Sequence, residues 1–101
     1  MYSADQSSMN PNKLNRVDLF MLPQDKVVEI VTQGNLTYRI KRLKGNKVAI
    51  SGGALLPAEG SEALIRHDDP VVIIGRFIFL RTMEREDFFM SSKVLSITLV
   101  V

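Results

Sequence analysis

Alternation of apolar and polar residues at 36–41, with turn residues on both sides, constrains the fold of this chain more than any other feature. In residues 36–41 the two kinds alternate without exception, the period of two that places successive side chains on opposite faces of a β-strand. Turns are predicted at 33–35 and 45–46, because Gly and Asn tolerate the positive φ of tight hairpins. The segment therefore predicts a meander of three strands, at residues 27–32, 36–41 and 47–50.

The N-terminal region gives a weaker pattern. Residues 1–12 are polar and predict a flexible tail, which leaves a single β-rich domain at residues 13–101. Residues 16–22 alternate as in a strand that turns back into the strand at 27–32. A short N-terminal helix is the alternative, because three apolar residues between 14 and 21 also have helical spacing.

The C-terminal half predicts a long connection followed by two further strands. Residues 52–70 contain Gly and Pro with few regular periods, so we expect a connection with a short helical turn around residues 61–64. Residues 71–80 carry apolar residues on both faces, which predicts one strand buried inside a sandwich or against a neighbouring subunit. A last strand is predicted from about residue 88 to the C-terminus, after a charged loop at residues 82–87.

These elements predict an all-β fold, a small single-domain barrel or sandwich of about five to six strands with a long 52–70 connection. The length of 101 residues fits one domain, and 46% hydrophobic with 24% charged residues is an ordinary globular composition. The longest apolar stretch falls short of the roughly 18 residues of a membrane helix, and the N-terminus lacks the hydrophobic run of a signal peptide. We therefore expect no membrane partner, and a location that is intracellular (cytoplasmic) or within a macromolecular assembly.

The residue types argue against catalysis. The chain has no cysteine, which excludes a disulfide framework, a thiolate zinc site and a cysteine nucleophile. The single histidine, His67, precedes Asp68 and Asp69; adjacent side chains rarely converge on one ion, so these residues predict a polar turn rather than a metal or acid/base cluster. The acids at residues 84–87 predict a solvated hairpin tip rather than paired catalytic carboxylates. We therefore predict a non-enzymatic protein with no cofactor and no metal.

The most distinctive functional feature is a run of basic residues free of acids. No acidic residue lies between Glu29 and Glu59, whereas five cations do: Arg39, Lys41, Arg42, Lys44 and Lys47. The whole chain has a formal net charge of only +2, so the rest of it is net negative. The five cations predict a patch that contacts phosphates, with an affinity that falls steeply with salt. A solvated strand face is the alternative interpretation, and Tyr38 is expected in the core with the apolar set rather than as a stacking platform.

Two segments resemble small nucleic-acid-binding barrels. Residues 69–80, the charged loop and residues 92–97 resemble the last two strands of the OB-fold in single-strand-binding proteins. Residues 28–39 resemble the first motif of Sm-like barrels, and residues 90–95 lie where the second motif would be. The Asp and Met-Asn of the first Sm motif are absent and Ser91-Ser92 replaces the Arg-Gly of the second, so no RNA-contacting residue of that family is transferred to this chain.

The charge pattern and these resemblances predict a non-catalytic β-barrel that binds nucleic acid through the basic hairpin, with single-stranded nucleic acid as the partner. The alternative is a structural or assembly subunit of a larger homo- or hetero-oligomeric complex, such as a ring, a virion or a secretion apparatus. It is favoured by the apolar residues on both faces of 71–80 and by the apolar last strand, which a neighbouring copy or another protein would cover.

Overall fold

The computed structural model describes residues 11–53, 56, 60–82 and 88–100. All but the last two residues of the predicted tail lie outside these ranges, and so do residues 83–87 of the predicted charged loop. The described residues form nine strands and no helix. The part of the chain that the structure describes therefore offers no helix able to span a membrane. The strands are β1 (Lys13–Leu14), β2 (Arg16–Asp18), β3 (Val27–Thr32), β4 (Leu36–Arg42), β5 (Lys47–Gly52), β6 (Ser61–Leu64), β7 (Val71–Ile73), β8 (Phe77–Thr82) and β9 (Phe88–Val100).

Six of these strands close into a barrel. The order is β3-β4-β5-β6-β8-β9, every neighbouring pair is antiparallel, and β9 pairs with β3 to complete the ring. β1 extends the sheet by pairing with β9, and β2 pairs with β7 in a separate two-stranded sheet. The predicted all-β fold is therefore confirmed, and of the two predicted architectures, barrel and sandwich, the chain forms the barrel.

The meander at the centre of the sequence forms as predicted. Its strands β3, β4 and β5 alternate between buried and more exposed residues, and the inward set includes Ile30, Ile40 and Ile50, each at most 1% exposed. Tyr38 is buried with them, which confirms its predicted place in the core. The first hairpin turn uses Gly34 and Asn35 at φ of 84° and 61°, the left-handed conformation for which Gly and Asn are suited.

The strand predicted at residues 16–22 is wrong in length and in pairing. β2 ends at Asp18, because the Asp18 carboxylate accepts the N–H of Phe20 at 2.9 Å and the Asp18 carbonyl accepts the N–H of Met21 at 2.9 Å. These hydrogen bonds form a turn, so the ladder of β2 does not continue past Asp18. β2 then pairs with β7 rather than with β3, so neither the predicted hairpin nor the alternative helix is present.

The helical turn predicted around residues 61–64 is also wrong, because these residues form β6. The strand pairs with β5 along its whole length and with β8 at its last two residues. Ala63 faces the core and is 2% exposed, whereas Glu62 beside it is exposed. Pairing with strands that lie elsewhere in the sequence therefore overrides the local signal for a helical turn.

The single strand predicted over residues 71–80 is divided in two. A turn between β7 and β8 contains Gly75 at φ of 92°, and the N–H of Arg76 donates to the carbonyl of Ile73 at 3.1 Å. Within the chain only one face of each strand is buried. Val72 and Ile78 lie in the core, whereas Phe77 is 49% exposed.

The last strand, β9, is confirmed, but its alternation is not regular. Its register shifts once against β8, between Phe77 and Phe79, and once against β3, between Val31 and Thr32. Such bulges place an extra residue in one strand and bend it. Leu95 is therefore 50% exposed while its neighbour Val94 is fully buried. The bend lets one strand pair with β8 in its first half and with β3 in its second.

Candidate nucleic-acid interface

The five cations predicted to contact phosphate all lie on β4, β5 and the turn that joins them, but they do not act as one group. Arg39 and Lys41 are exposed on the outer face of β4, as the alternation predicts, and Lys44 and Lys47 are exposed at the turn and at the start of β5. Arg42 is half-buried. Arg39 and Arg42 are bound to other groups of the chain, whereas the three lysines have no ion pair among the described residues.

Arg39 is engaged with an acid of the neighbouring strand. It lies directly opposite Glu29 in the register of β3 and β4. Its Nη2 lies 3.0 Å from Glu29 Oε2, and its Nε donates to the same oxygen at 3.1 Å. The two charges cancel locally, so Arg39 adds little to the potential of this face.

Arg42 holds the loop between β2 and β3. Its Nη1 donates to the carbonyls of Leu19 and Phe20, both at 2.8 Å, and to that of Leu22 at 3.2 Å. Its Nη2 donates to the carbonyl of Gly45 at 2.5 Å. A guanidinium has five N–H donors in a fixed plane, and this one binds main-chain oxygens on two sides. Arg42 is therefore a structural clamp whose three guanidinium nitrogens are already engaged with backbone carbonyls.

Lys41, Lys44 and Lys47 form what we call the basic strip. Lys41 lies opposite Ala49 in the register of β4 and β5, and Lys47 precedes Ala49 by two residues. Lys41 and Lys47 are therefore diagonal neighbours on the outer face, with Cα atoms about 7–8 Å apart. No acid in the described ranges lies within ion-pair distance of any of the three lysines. By register, Glu62 on β6 is a diagonal neighbour of Lys47, and Glu29 on β3, which pairs with Arg39, is a diagonal neighbour of Lys41.

The structure adds a groove beside this strip that the sequence does not reveal. The groove has a volume of about 430 Å³ and is lined by Asn46, Leu64, Ile65, Arg66, His67, Asp68 and Arg81. Lys47 lies opposite Leu64, and Leu64 lies opposite Arg81. Since neighbouring strands are about 4.8 Å apart, Lys47 and Arg81 are separated by about 10 Å across the outer face. The basic strip therefore continues into the groove.

Two side chains of the groove wall, Arg66 and His67, each contact an aromatic ring. The guanidinium of Arg66 lies over the ring of Phe79, 4.0 Å from its centroid, and pairs with the carboxylate of Asp68. The ring of His67 stacks on Phe20, with 5.1 Å between centroids and 26° between planes. The predicted polar turn at residues 67–69 is present, closed by the N–H of Asp69 donating to the carbonyl of Arg66 at 3.3 Å.

Sequence reasoning missed the groove because its residues come from three separate segments. Arg66 and Arg81 are 15 positions apart, and Asn46 is a further 20 positions from Arg66. Only the pairing of β5 with β6 and of β6 with β8 brings them together. The one local signal was Arg81, a charge at the end of an otherwise apolar strand. In the described residues no group of three His, Cys, Asp or Glu side chains has the geometry to hold a metal ion.

A second surface feature lies on β8, β9 and the turn before β8. Four large apolar side chains are exposed there, and we call them the apolar stripe: Ile74, Phe77, Met90 and Leu95. Phe77 lies opposite Lys93, and Met90 lies opposite Phe79, whose ring supports Arg66. The apolar stripe therefore borders the groove.

No family model matches the chain, and neither a curated protein nor a solved structure matches it. The function of the chain therefore has to be inferred from the geometry of its described residues.

Proposed function

We propose that this protein is a non-catalytic β-barrel module that binds nucleic acid through the basic strip and Arg81. One observation carries the proposal. Lys41, Lys44 and Lys47 are exposed on one hairpin, and the register of β5, β6 and β8 places Arg81 on the same outer face. No ion pair to these four side chains is present among the described residues.

The electrostatics of this surface favour a polyanion of modest affinity. Three cations on the outer face and Lys44 at the adjoining turn attract the phosphates of a nucleic-acid strand and release its condensed counterions on binding. Glu62 lies in the same row as Lys41, two strands away, and lowers the local potential. We therefore expect a dissociation constant in the range of non-specific binding, about 10⁻⁴ to 10⁻⁶ M at physiological salt.

The test is fluorescence anisotropy of labelled single strands and duplexes over a range of salt concentrations. Four phosphate contacts predict a slope of log K against log salt of about −3 for a single strand. Reversal of the strip in the variant K41E/K44E/K47E should weaken binding at least about tenfold, because three attractive contacts become repulsive.

The matched control reverses three exposed cations away from the strip, in the variant K13E/R16E/K93E. It changes the net charge by the same amount, so it separates a local site from a general charge effect. We expect it to retain most of the affinity. Absence of binding at low salt, or equal losses in both variants, would contradict the proposal.

An assembly subunit is the second candidate function, and the apolar stripe favours it. Exposed apolar patches of this kind are typical of protein–protein contact sites. If copies of the chain pack through the stripe, light scattering after gel filtration should give a mass above that of the monomer. The variant M90E should then restore the monomer. A strictly monomeric wild-type chain at high concentration would count against self-assembly.

A further inference from the structure

We infer that the groove between β6, β8 and the β6–β7 loop is a subsite for one nucleotide unit, with the base on His67 and the phosphate at Arg81 and Arg66. The shared chemistry is a planar base joined to a phosphate, and it has two sources: a unit of a bound strand or a free nucleotide. Where the unit belongs to a strand, the inference rests on the proposed function.

The dimensions and the lining of the groove fit such a ligand. Its volume of about 430 Å³ falls in the range of about 300–1,000 Å³ that is typical of small-molecule sites. Two of its seven lining residues are apolar, Leu64 and Ile65, and the other five carry polar or charged side chains. A lining of this kind suits a charged ligand, since hydrogen bonds from arginine to phosphate are among the strong ones.

His67 provides the surface for the base. Its ring is already stacked on Phe20, so one ring face is covered and a base in the groove would stack on the other. Phe20 is fixed in turn, because Arg42 binds the Phe20 carbonyl at 2.8 Å and its guanidinium carbon lies 5.7 Å from the Phe20 centroid. A ring that is held before binding loses little conformational entropy when a base stacks on it.

The phosphate is placed by the charges of the groove wall. Arg66 is oriented by the Phe79 ring and by Asp68, and the Asp68 carboxylate repels an anion on its side. Arg81 is exposed and has no ion pair within the described residues. The phosphate should therefore lie toward Arg81, with the sugar beside Leu64 and Lys47 at the rim.

The test is an NMR titration of the isotope-labelled full chain with adenosine 5′-monophosphate, and separately with adenosine and inorganic phosphate. The nucleotide should shift the resonances of Asn46, of residues 64–67 and of Arg81, with a higher affinity than either part. The variant R81Q should lower the affinity for nucleotide and phosphate about tenfold, since it removes charge-assisted hydrogen bonds. The control R16Q, at an exposed arginine outside the groove, should leave the affinities for nucleotide and for phosphate unchanged.

Two further variants test the role assigned to the rings. H67A should lower the nucleotide affinity about fivefold or more, the usual effect of losing one base stack, without changing that for phosphate. F20L should lower the nucleotide affinity in the same selective way, because Phe20 acts as a positioning residue beneath His67. Groove resonances that do not respond to the nucleotide, or an affinity unchanged in H67A, would overturn the inference.

The anisotropy assay separates the two sources and the two proposals. Loss of oligonucleotide affinity in R81Q and H67A assigns the site to a unit of a bound strand. Unchanged oligonucleotide affinity, together with retained groove shifts, assigns it to a free nucleotide. If the variant K41E/K44E/K47E binds strands as well as wild type while the nucleotide still shifts the groove, the proposed function fails and the groove site stands.

Discussion

Arg42 joins regions of the chain that are 20 to 23 residues apart. Its Nη1 binds the carbonyls of Leu19, Phe20 and Leu22, which form the loop after β2, while the rest of its guanidinium binds the β4–β5 turn. The clamp adds to the backbone hydrogen bonds that hold this loop, such as that from the N–H of Leu19 to the carbonyl of Pro70. Arg42 therefore contributes both to the stability of the fold and to the position of Phe20 beside the groove.

The variant R42K should lower the free energy of unfolding by about 2 kcal/mol. A lysine keeps the charge but lacks the planar fork that binds several carbonyls at once, and hydrogen bonds to charged groups are each worth about 1.5–3 kcal/mol. Urea unfolding followed by circular dichroism measures the change. R39K is the control: the Arg39–Glu29 pair is exposed, so it should cost at most about 1 kcal/mol. An equal loss of unfolding free energy in R42K and R39K would contradict the role of Arg42 as a clamp.

At the residue scale, the sequence predicts which cations point outward but not what they contact. Alternation correctly places Arg39 and Lys41 on the outer face of β4. It cannot show that Glu29 lies opposite Arg39, because that depends on the register between β3 and β4. Nor can it show the bonds of Arg42, whose acceptors are backbone carbonyls that every residue carries.

β9 is the strand that completes the barrel, and a buried hydroxyl lies at its bulge against β8. Ser91 is 8% exposed. Its Oγ accepts the N–H of Ile78 at 2.9 Å and donates to the carbonyl of Ser92 at 2.6 Å. The side chain thus replaces a ladder bond at the point where the register shifts. Buried N–H groups are nearly always paired, and here a serine meets that requirement.

The variant S91A should lower the free energy of unfolding by about 1–3 kcal/mol, since it leaves the buried N–H of Ile78 without its acceptor. Hydrogen exchange at the Ile78 amide should become faster than in the wild-type chain. S92A is the control, because Ser92 is exposed and surface changes usually stay within about 0.5 kcal/mol. A neutral S91A would show that the hydroxyl is not needed at the bulge.

At the element scale, the sequence predicts elements whose signals are local. The turns at Gly34 and Gly45 and the strands between them follow from residues close in sequence. β6 and the turn at residues 74–76 do not, because they are determined by pairing with β5, β8 and β9. The outward position of Leu95 also depends on pairing, since a bulge changes the faces of all residues beyond it.

At the scale of the whole molecule, the barrel closes through its most distant pairing. Val27 lies opposite Val100, so the ring is completed by residues from opposite ends of the domain. Loop-closure entropy opposes such contacts until most of the structure has formed. The fold class was predictable because any alternating, helix-poor chain of this length buries its core in this way. The closure of the barrel by β9 was not predictable, since no local sequence signal specifies the pairing of β9 with β3.

Refolding should be slow for a chain of this length. All-β domains dominated by non-local pairings fold in about milliseconds to seconds, and the β3–β9 pairing places this chain among them. Stopped-flow fluorescence after dilution from urea measures the rate, with buried Tyr38 as the reporter. A refolding time of microseconds would show that the closing pairing does not limit the rate.

The stack of Arg42, Phe20 and His67 has a consequence for how sequences of this kind can diverge. The hairpin that carries the three lysines also fixes the wall of the neighbouring groove, through one guanidinium and one ring. A chain that replaced the arginine would release the phenylalanine, and the histidine would lose its support. Among divergent forms of this protein, the three residues should therefore be kept together or lost together.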